Sequence, residues 1–104
     1  MESTHELVVV VANTGFSDII MDAAREAGAR GGTIVHARGT GNVSMQKQYG
    51  IAITPDKEMI LILVGQETRD TIIESINKVA GIDKPARSII FSLPASNVAG
   101  LKFE

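Results

Sequence analysis

The segment from Gly39 to Pro55 combines glycines with polar side chains in a pattern suited to ligand binding. It begins with glycines at positions 39 and 41, and its centre carries the polar run Gln46 to Tyr49. Connections longer than about 12 to 15 residues without regular structure are uncommon in compact domains, and many of them bind ligands. We therefore expect a flexible loop that changes conformation when a ligand sits at its glycine base. The alternative is a plain hairpin connection without a ligand.

Other reactive side chains form no recognisable catalytic or metal-binding set. The stretch Gly39-Thr40-Gly41 lacks the third glycine of a dinucleotide-binding fingerprint. The absence of cysteine excludes disulfides, zinc thiolates and thiol catalysis. The two histidines, His5 and His36, are too far apart in sequence to suggest shared ligation of a metal. Because His36 alternates with Arg38, we expect it on a polar or interface face of a strand.

Composition indicates one small domain with no general affinity for nucleic acid. A chain of 104 residues suits a single core, and we expect one domain over residues 1–104. Its net charge of −2 gives no general attraction to phosphate backbones. The residues from Met1 to Glu6 are polar, and the longest apolar runs fall short of the roughly 20 residues that span a bilayer. We therefore expect a soluble, cytoplasmic protein without direct membrane insertion.

Hydrophobic periodicity and glycine positions predict two β-α-β units in succession. Each helix is expected to follow an apolar strand and to end at a glycine. The predicted elements are a strand over Leu7–Ala12, a helix capped by Thr14 or Ser17 and stopped at Gly28, a strand over Thr33–Arg38, a strand over Met59–Val64, a helix over Glu67–Ala80 ended by Gly81, and a strand over Arg87–Leu93 halted by Pro94.

The first and third predicted strands are apolar on both faces, which bears on fold and assembly. A βαββαβ chain folds most simply into an α+β, ferredoxin-like structure, a four-stranded antiparallel sheet with both helices on one face. The helices would then cover only one face, so a second copy of the chain is expected to cover the other. The inner strands lack the aromatic residues of an RNA-binding sheet. The turn Ala12–Gly15 also lacks the cation that a small phosphatase of this topology would need.

Three parts of the chain resemble the PII signal-transduction superfamily, especially its shorter PII-like members. They are GARGGTIVHARGTG (Gly28 to Gly41), the apolar third strand, and KPARSIIFSLPASNVAGL (Lys84 to Leu101). The resemblance implies a homotrimer whose sheets line a central barrel, with adenine nucleotides (ATP, ADP or AMP) bound in clefts between subunits. It also implies a regulator, not an enzyme, whose long loop contacts a membrane transporter or a protein of nitrogen or carbon metabolism.

The same resemblance assigns roles to individual residues. Gly39, Thr40 and Gly41 match the loop base, where backbone N–H groups approach the nucleotide phosphates, and glycine permits that approach. Arg38 matches a basic position before the glycines. Thr33 matches a threonine near the adenine, and Leu63 lines the same pocket. The alternatives are ordinary strand packing for Thr33 and Leu63, and a tight turn without a ligand for the glycines.

The chain departs from the family pattern in the turn after the second helix and beyond the last strand. The turn carries Lys84 and Arg87 where typical members have two glycines and a lysine; the two cations could pair with phosphates or remain solvated. The arginines that typical members place beyond the fourth strand are replaced by Ala99-Gly100-Leu101, with Lys102 nearby. ADP, AMP or another small anion is therefore favoured over a triphosphate, and a role for magnesium stays open.

Departures within the loop bear on other ligands and on modification. Val43 stands where typical members carry a glutamine that helps to hold magnesium and 2-oxoglutarate, so sensing of 2-oxoglutarate is not expected. Tyr49 matches a modifiable tyrosine only weakly, because the loop is shorter, and no modification is expected. Two alternatives remain: a small enzyme or metal-handling protein on this fold, and an amino-acid-binding regulatory module that pairs sheet edges into dimers.

Overall fold

A computed structural model describes residues 4–40 and 56–101, which form four strands and two helices. The positions Gly41, Val43, Tyr49 and Lys102, for which roles were predicted, lie outside the described residues, as does the rest of 39–55 beyond Thr40. The elements are β1 (His5–Asn13), α1 (Ser17–Glu26), β2 (Thr33–Arg38), β3 (Asp56–Gly65), α2 (Arg69–Ala80) and β4 (Ile89–Ala95).

The strands form one antiparallel sheet in the order β2-β3-β1-β4. β1 lies between β3 and β4, so Leu7 faces Leu63 on one side and Leu93 on the other. β2 pairs with the other side of β3, where Thr33 faces Leu61. With both helices packed on one face, this order confirms the predicted ferredoxin-like α+β fold.

The hydrophobic core lies between the helices and one face of the sheet. Side chains alternate between the two faces of a strand, so every second residue of β1 and β3 points towards the helices. The hydroxyl of Ser75 on α2 donates a 2.8 Å hydrogen bond to the carbonyl oxygen of Ala23 on α1, which fixes the helices to each other. The largest fully buried side chains are Val8, Val10, Ile20, Ile60, Ile62, Ile72 and Ile76.

The opposite face of the sheet, which we call the open face, is apolar and carries neither helix. Its exposure is greatest on β4, where Ile89 is 62%, Phe91 43% and Leu93 50% exposed. This arrangement agrees with the prediction that the helices would leave one apolar face uncovered. The apolar side chains of the open face are Leu7, Val9, Val11, Val35, Met59, Leu61, Leu63, Ile89, Phe91 and Leu93.

The last strand differs from its predicted range at both ends. β4 begins at Ile89 because Arg87 has a φ of 46°, a left-handed backbone that an extended strand cannot contain. β4 also continues through Pro94, which faces Glu6 in the register, to Ala95. Proline is tolerated there because β4 is an edge strand, whose outer side needs no ladder hydrogen bonds.

The helix ends match the prediction better at the C-terminus than at the N-terminus. Neither predicted cap is used: Ser17 is already helical, and the N-cap position is Phe16, without a side-chain cap. α2 begins at Arg69, because the N–H and hydroxyl groups of Thr68 both donate to the carbonyl oxygen of Gly65 in a separate turn. The predicted stops at Gly28 and Gly81 are confirmed. Within residues 4–40 and 56–101, no helix is long and apolar enough to cross a membrane.

Candidate functional site

The predicted site residues of a single chain fall at opposite ends of the sheet. Thr33 begins β2 and faces Leu61, whereas Arg38 ends β2 and faces Asp56 at the start of β3. At about 3.3 to 3.4 Å per residue, Thr33 and Arg38 are separated by roughly 17 Å. The structure therefore gathers the predicted residues into two groups, one at each end of β2.

The first group lines a cavity of about 640 Å³. Thr33 and Leu63, predicted to lie near an adenine, are both in its wall. Its floor is formed by open-face residues, so it is largely apolar, and its rim adds polar groups from two loops. The other lining residues are Leu7, Gly28, Ala29, Arg30, Gly31, Gly32, Leu61, Val64, Gly65, Glu67, Thr68 and Leu101.

Two glycines shape the loop that closes this cavity between α1 and β2. Gly28 has a φ of +114° and ends α1 in a Schellman motif, with its N–H bonded to Arg25 and the N–H of Ala29 bonded to Ala24. Gly32 lies against β3: a Cβ added there would be 3.1 Å from the carbonyl oxygen of Leu61. Gly28 was predicted only as the end of α1, and the place of both glycines in the cavity depends on the register of β2 with β3.

An ion pair beside the cavity fixes the start of α2. Arg69 donates to the carboxylate of Glu6 at 2.9 Å, and Glu6, on β1, is only 4% exposed. Arg69 also bonds to Asp70 at 3.0 Å. These hydrogen bonds, the one to Asp70 first, raise the pKa of Arg69 above its ordinary value, so the guanidinium stays charged. The pair positions the first turn of α2 next to Thr68 in the cavity rim.

The second group surrounds the far end of β2 and the turn between α2 and β4. Arg38 and Thr40 are exposed and Gly39 is half-buried, while Lys84 and Arg87 are exposed in the turn. The turn is closed by hydrogen bonds from the N–H of Lys84 to Gly81 and from the N–H of Arg87 to the carbonyl oxygen of Lys84.

One residue that sequence reasoning missed connects the parts of this second group. Asn13, at the end of β1, donates from its side chain to the carbonyl oxygen of Pro85 at 3.0 Å, and from its backbone to Ala86 at 2.9 Å. Its side-chain oxygen accepts a 2.6 Å hydrogen bond from the ammonium of Lys57. Hydrogen bonds between residues so far apart in sequence depend on strand register, so no local pattern reveals them.

Positive charge at this end is not neutralised by ion pairs among the described residues. Within 4–40 and 56–101, the four cations Arg38, Lys57, Lys84 and Arg87 form no salt bridge with a described carboxylate. These four cations are therefore available to an anion, with Asp56, Glu58 and Asp83 as the nearby carboxylates in sequence. In the same described ranges, no three His, Cys, Asp or Glu side chains are grouped as metal ligands. The arrangement suits binding of an anionic molecule.

Comparison with known proteins gives one family and one fold. A family model described as nitrogen regulatory protein P-II matches residues 5–104. The crystal structure of Arabidopsis thaliana PII bound to citrate resembles this chain with a TM-score of 0.72 and 21% identity, over 96% of this chain and 82% of that one. At such identity the likeness shows the fold alone. No curated protein matches the sequence.

Proposed function

This chain belongs to the nitrogen regulatory protein P-II family, and from that membership we propose that it binds an adenine nucleotide between the subunits of a homotrimer and regulates a partner protein. The observation that carries the proposal is the separation of the Thr33 cavity from the cations near Arg38. An apolar cavity with a polar rim suits a nucleobase, and unpaired cations beside a glycine suit phosphates. A cleft between two subunits would bring these two ends together.

The open face supports association into such an oligomer. Burying about five large apolar side chains, at roughly 1.5 to 3 kcal/mol each, gives a free energy of order 10 kcal/mol. That gain can offset the loss of translational and rotational freedom on association. The exposed residues Ile89, Phe91 and Leu93 would contribute most, because they have the most area left to bury.

The described cations favour a ligand with few phosphates. Residues 96–104 contain no arginine, and Leu101 lies in the cavity wall. ADP or AMP is therefore the favoured ligand, with ATP and magnesium as further ligands to be tested. The citrate in the Arabidopsis protein is a compact polyanion, so citrate belongs in the same ligand series.

We assign regulation of the partner, a membrane transporter or a protein of nitrogen or carbon metabolism, to the 39–55 segment that begins at the phosphate site. In this proposal nucleotide binding at Gly39 and Thr40 sets the conformation that the partner recognises. No nucleotide turnover is required, since occupancy alone carries the signal.

The proposal is tested by measuring mass and ligand binding on the same preparation. Native mass spectrometry is expected to give a trimer. Calorimetric titration is expected to give saturable binding of ADP or AMP, weaker binding of adenosine, and no hydrolysis of ATP over hours with magnesium present. Titration with citrate shows whether the phosphate end accepts other polyanions.

Four results would contradict the proposal. A protein that is monomeric at micromolar concentration would have no cleft between subunits. A dimer would favour the amino-acid-binding alternative. Absence of binding at millimolar ATP, ADP and AMP would contradict the proposed binding of an adenine nucleotide. Rapid hydrolysis of the nucleotide would favour the enzyme alternative.

A further inference from the structure

Asn13 connects three parts of the chain at the cationic end of the sheet through its backbone N–H and both ends of its side-chain amide. Its backbone N–H and its side-chain amide both donate into the turn between α2 and β4, to Ala86 and Pro85. Its side-chain oxygen accepts from Lys57 on β3 at 2.6 Å. The turn that carries Lys84 and Arg87 is therefore tied to the start of β3 through one side chain.

Lys57 in turn lies against Gly39, the glycine that follows β2. A Cβ added at Gly39 would be 3.1 Å from Cε and 3.2 Å from Cγ of Lys57, so the lysine stem runs along the Gly39 backbone. An ammonium has three N–H donors, and Asn13 accepts one of them. Lys57 has no carboxylate within 4.0 Å among the described residues, so the other donors can reach an anion.

The turn after Asn13 is held from the opposite face of the sheet as well. Glu58 follows Lys57 on β3, and its side chain points to the helix face because strand residues alternate. Its carboxylate accepts a 2.9 Å hydrogen bond from the N–H of Gly15. Glu58 is only 7% exposed, so this bond is shielded from water. Lys57 and Glu58, which are consecutive on β3, thus form hydrogen bonds with Asn13 and Gly15 from the two faces of the sheet.

We propose that Lys57 is a further cation of the phosphate site and that Asn13 is the residue that positions it, an inference that rests on the nucleotide-binding function proposed above. Asn13 holds the ammonium beside Gly39 and, through the same side chain, holds the turn that carries Lys84 and Arg87. Phosphates bound at this end can then meet cations from two chain segments, β3 and the turn between α2 and β4, without first ordering them, which lowers the entropic cost of binding.

The test compares phosphate-bearing and phosphate-free ligands on variants of the full chain. Lys57→Met keeps most of the stem that packs on Gly39 but removes the ammonium, and it is expected to weaken ADP binding roughly tenfold. Adenosine affinity is expected to be unchanged. Lys57→Arg restores a cation and should recover part of the loss. Asn13→Ala, like Lys57→Met, should lower the ratio of ADP affinity to adenosine affinity.

A matched control separates this role from a general change in charge. Arg25→Met also removes one positive charge, but Arg25 lies on the exposed surface of α1 in a long 3.8 Å pair with Asp22. It should leave the ADP affinity unchanged. The salt dependence of ADP binding should become shallower in Lys57→Met and stay as in the wild type in Arg25→Met. Native mass and melting temperature show whether each variant is still assembled and folded.

The outcomes distinguish this inference from the proposed function. If the wild type binds ADP and folded Lys57→Met binds it equally well, the inference is overturned while the proposed function stands. If the wild type binds no adenine nucleotide, the proposed function fails. Titration with pyrophosphate then decides the inference alone: binding that is lost in Lys57→Met supports it, and no binding or equal binding overturns it.

Discussion

Two adjacent glycines before β2 differ in what a side chain would meet. A Cβ at Gly32 would lie 3.0 Å from Sδ of Met21 and 3.1 Å from the carbonyl oxygen of Leu61, whereas nothing lies within 4 Å of one at Gly31. We predict that Gly32→Ala lowers the free energy of unfolding by about 1 to 3 kcal/mol, because the β3 backbone cannot move aside. Gly31→Ala should change it by less than about 0.5 kcal/mol. Urea unfolding measures both, and equal effects would contradict the close packing at Gly32.

The hydroxyl of Thr33 is the polar group of the cavity for which a base contact was predicted. Thr33→Val keeps the shape of the side chain and removes that group. We predict that adenosine affinity falls about threefold to tenfold, since a neutral hydrogen bond is lost. Thr71→Val, on the exposed surface of α2, should leave it unchanged. Calorimetry with adenosine measures both, and unaltered affinity in Thr33→Val would assign Thr33 to strand packing only.

Arg69 ties the first turn of α2 to β1 through its ion pair with Glu6. We predict that Arg69→Met lowers the melting temperature and the hydrogen-exchange protection of the first turn of α2, because Glu6 is left buried without its partner. Arg25→Met, at an exposed pair, should change neither. Because the pKa of Arg69 is raised in the folded protein, its ion pair contributes fully to stability at every pH below the ordinary pKa of arginine. That contribution is lost only at higher pH. The difference in melting temperature should therefore be the same at pH 6 and pH 9; a difference that vanishes at pH 9 would contradict this pairing.

Strand and helix bounds were predictable where residue type alone decides the backbone. β2 has the predicted bounds, because glycines lie on both sides of Thr33–Arg38. Gly28 ends α1 as predicted, because its positive φ suits only glycine well. The start of β4 was not predictable, since Arg87 adopts a left-handed φ that its residue type does not indicate.

The candidate site was predictable only in part. The resemblance to a family placed Thr33 and Leu63 together, and they share a cavity. Asn13 and Lys57 were missed because their hydrogen bonds join residues 44 and 72 positions apart. Such contacts require the order and register of the strands, which periodicity within a single strand does not contain.

Assembly through the open face can be tested against an equally exposed apolar residue elsewhere. Leu93 on the open face is 50% exposed, and Ile19 on the outer surface of α1 is 48% exposed. We predict that Leu93→Lys converts the proposed trimer to monomers at micromolar concentration, because a lysine there would have to be desolvated in the interface. Ile19→Lys should leave the trimer intact. Sedimentation velocity measures both, and a trimer that survives Leu93→Lys but not Ile19→Lys would place the interface on the helices.

The strand order also determines when the chain can complete its fold during synthesis. β1 leaves the ribosome before β3 and β4, yet these two strands are its neighbours: His5 is paired with Gly65 on one side and Ala95 on the other. The valine-rich first strand therefore emerges long before either neighbour exists. Pairings between distant segments form slowly, and unpaired apolar strands aggregate readily. This strand therefore stays without its partners until β3 and β4 have been synthesised, and during that time it is open to association with other chains.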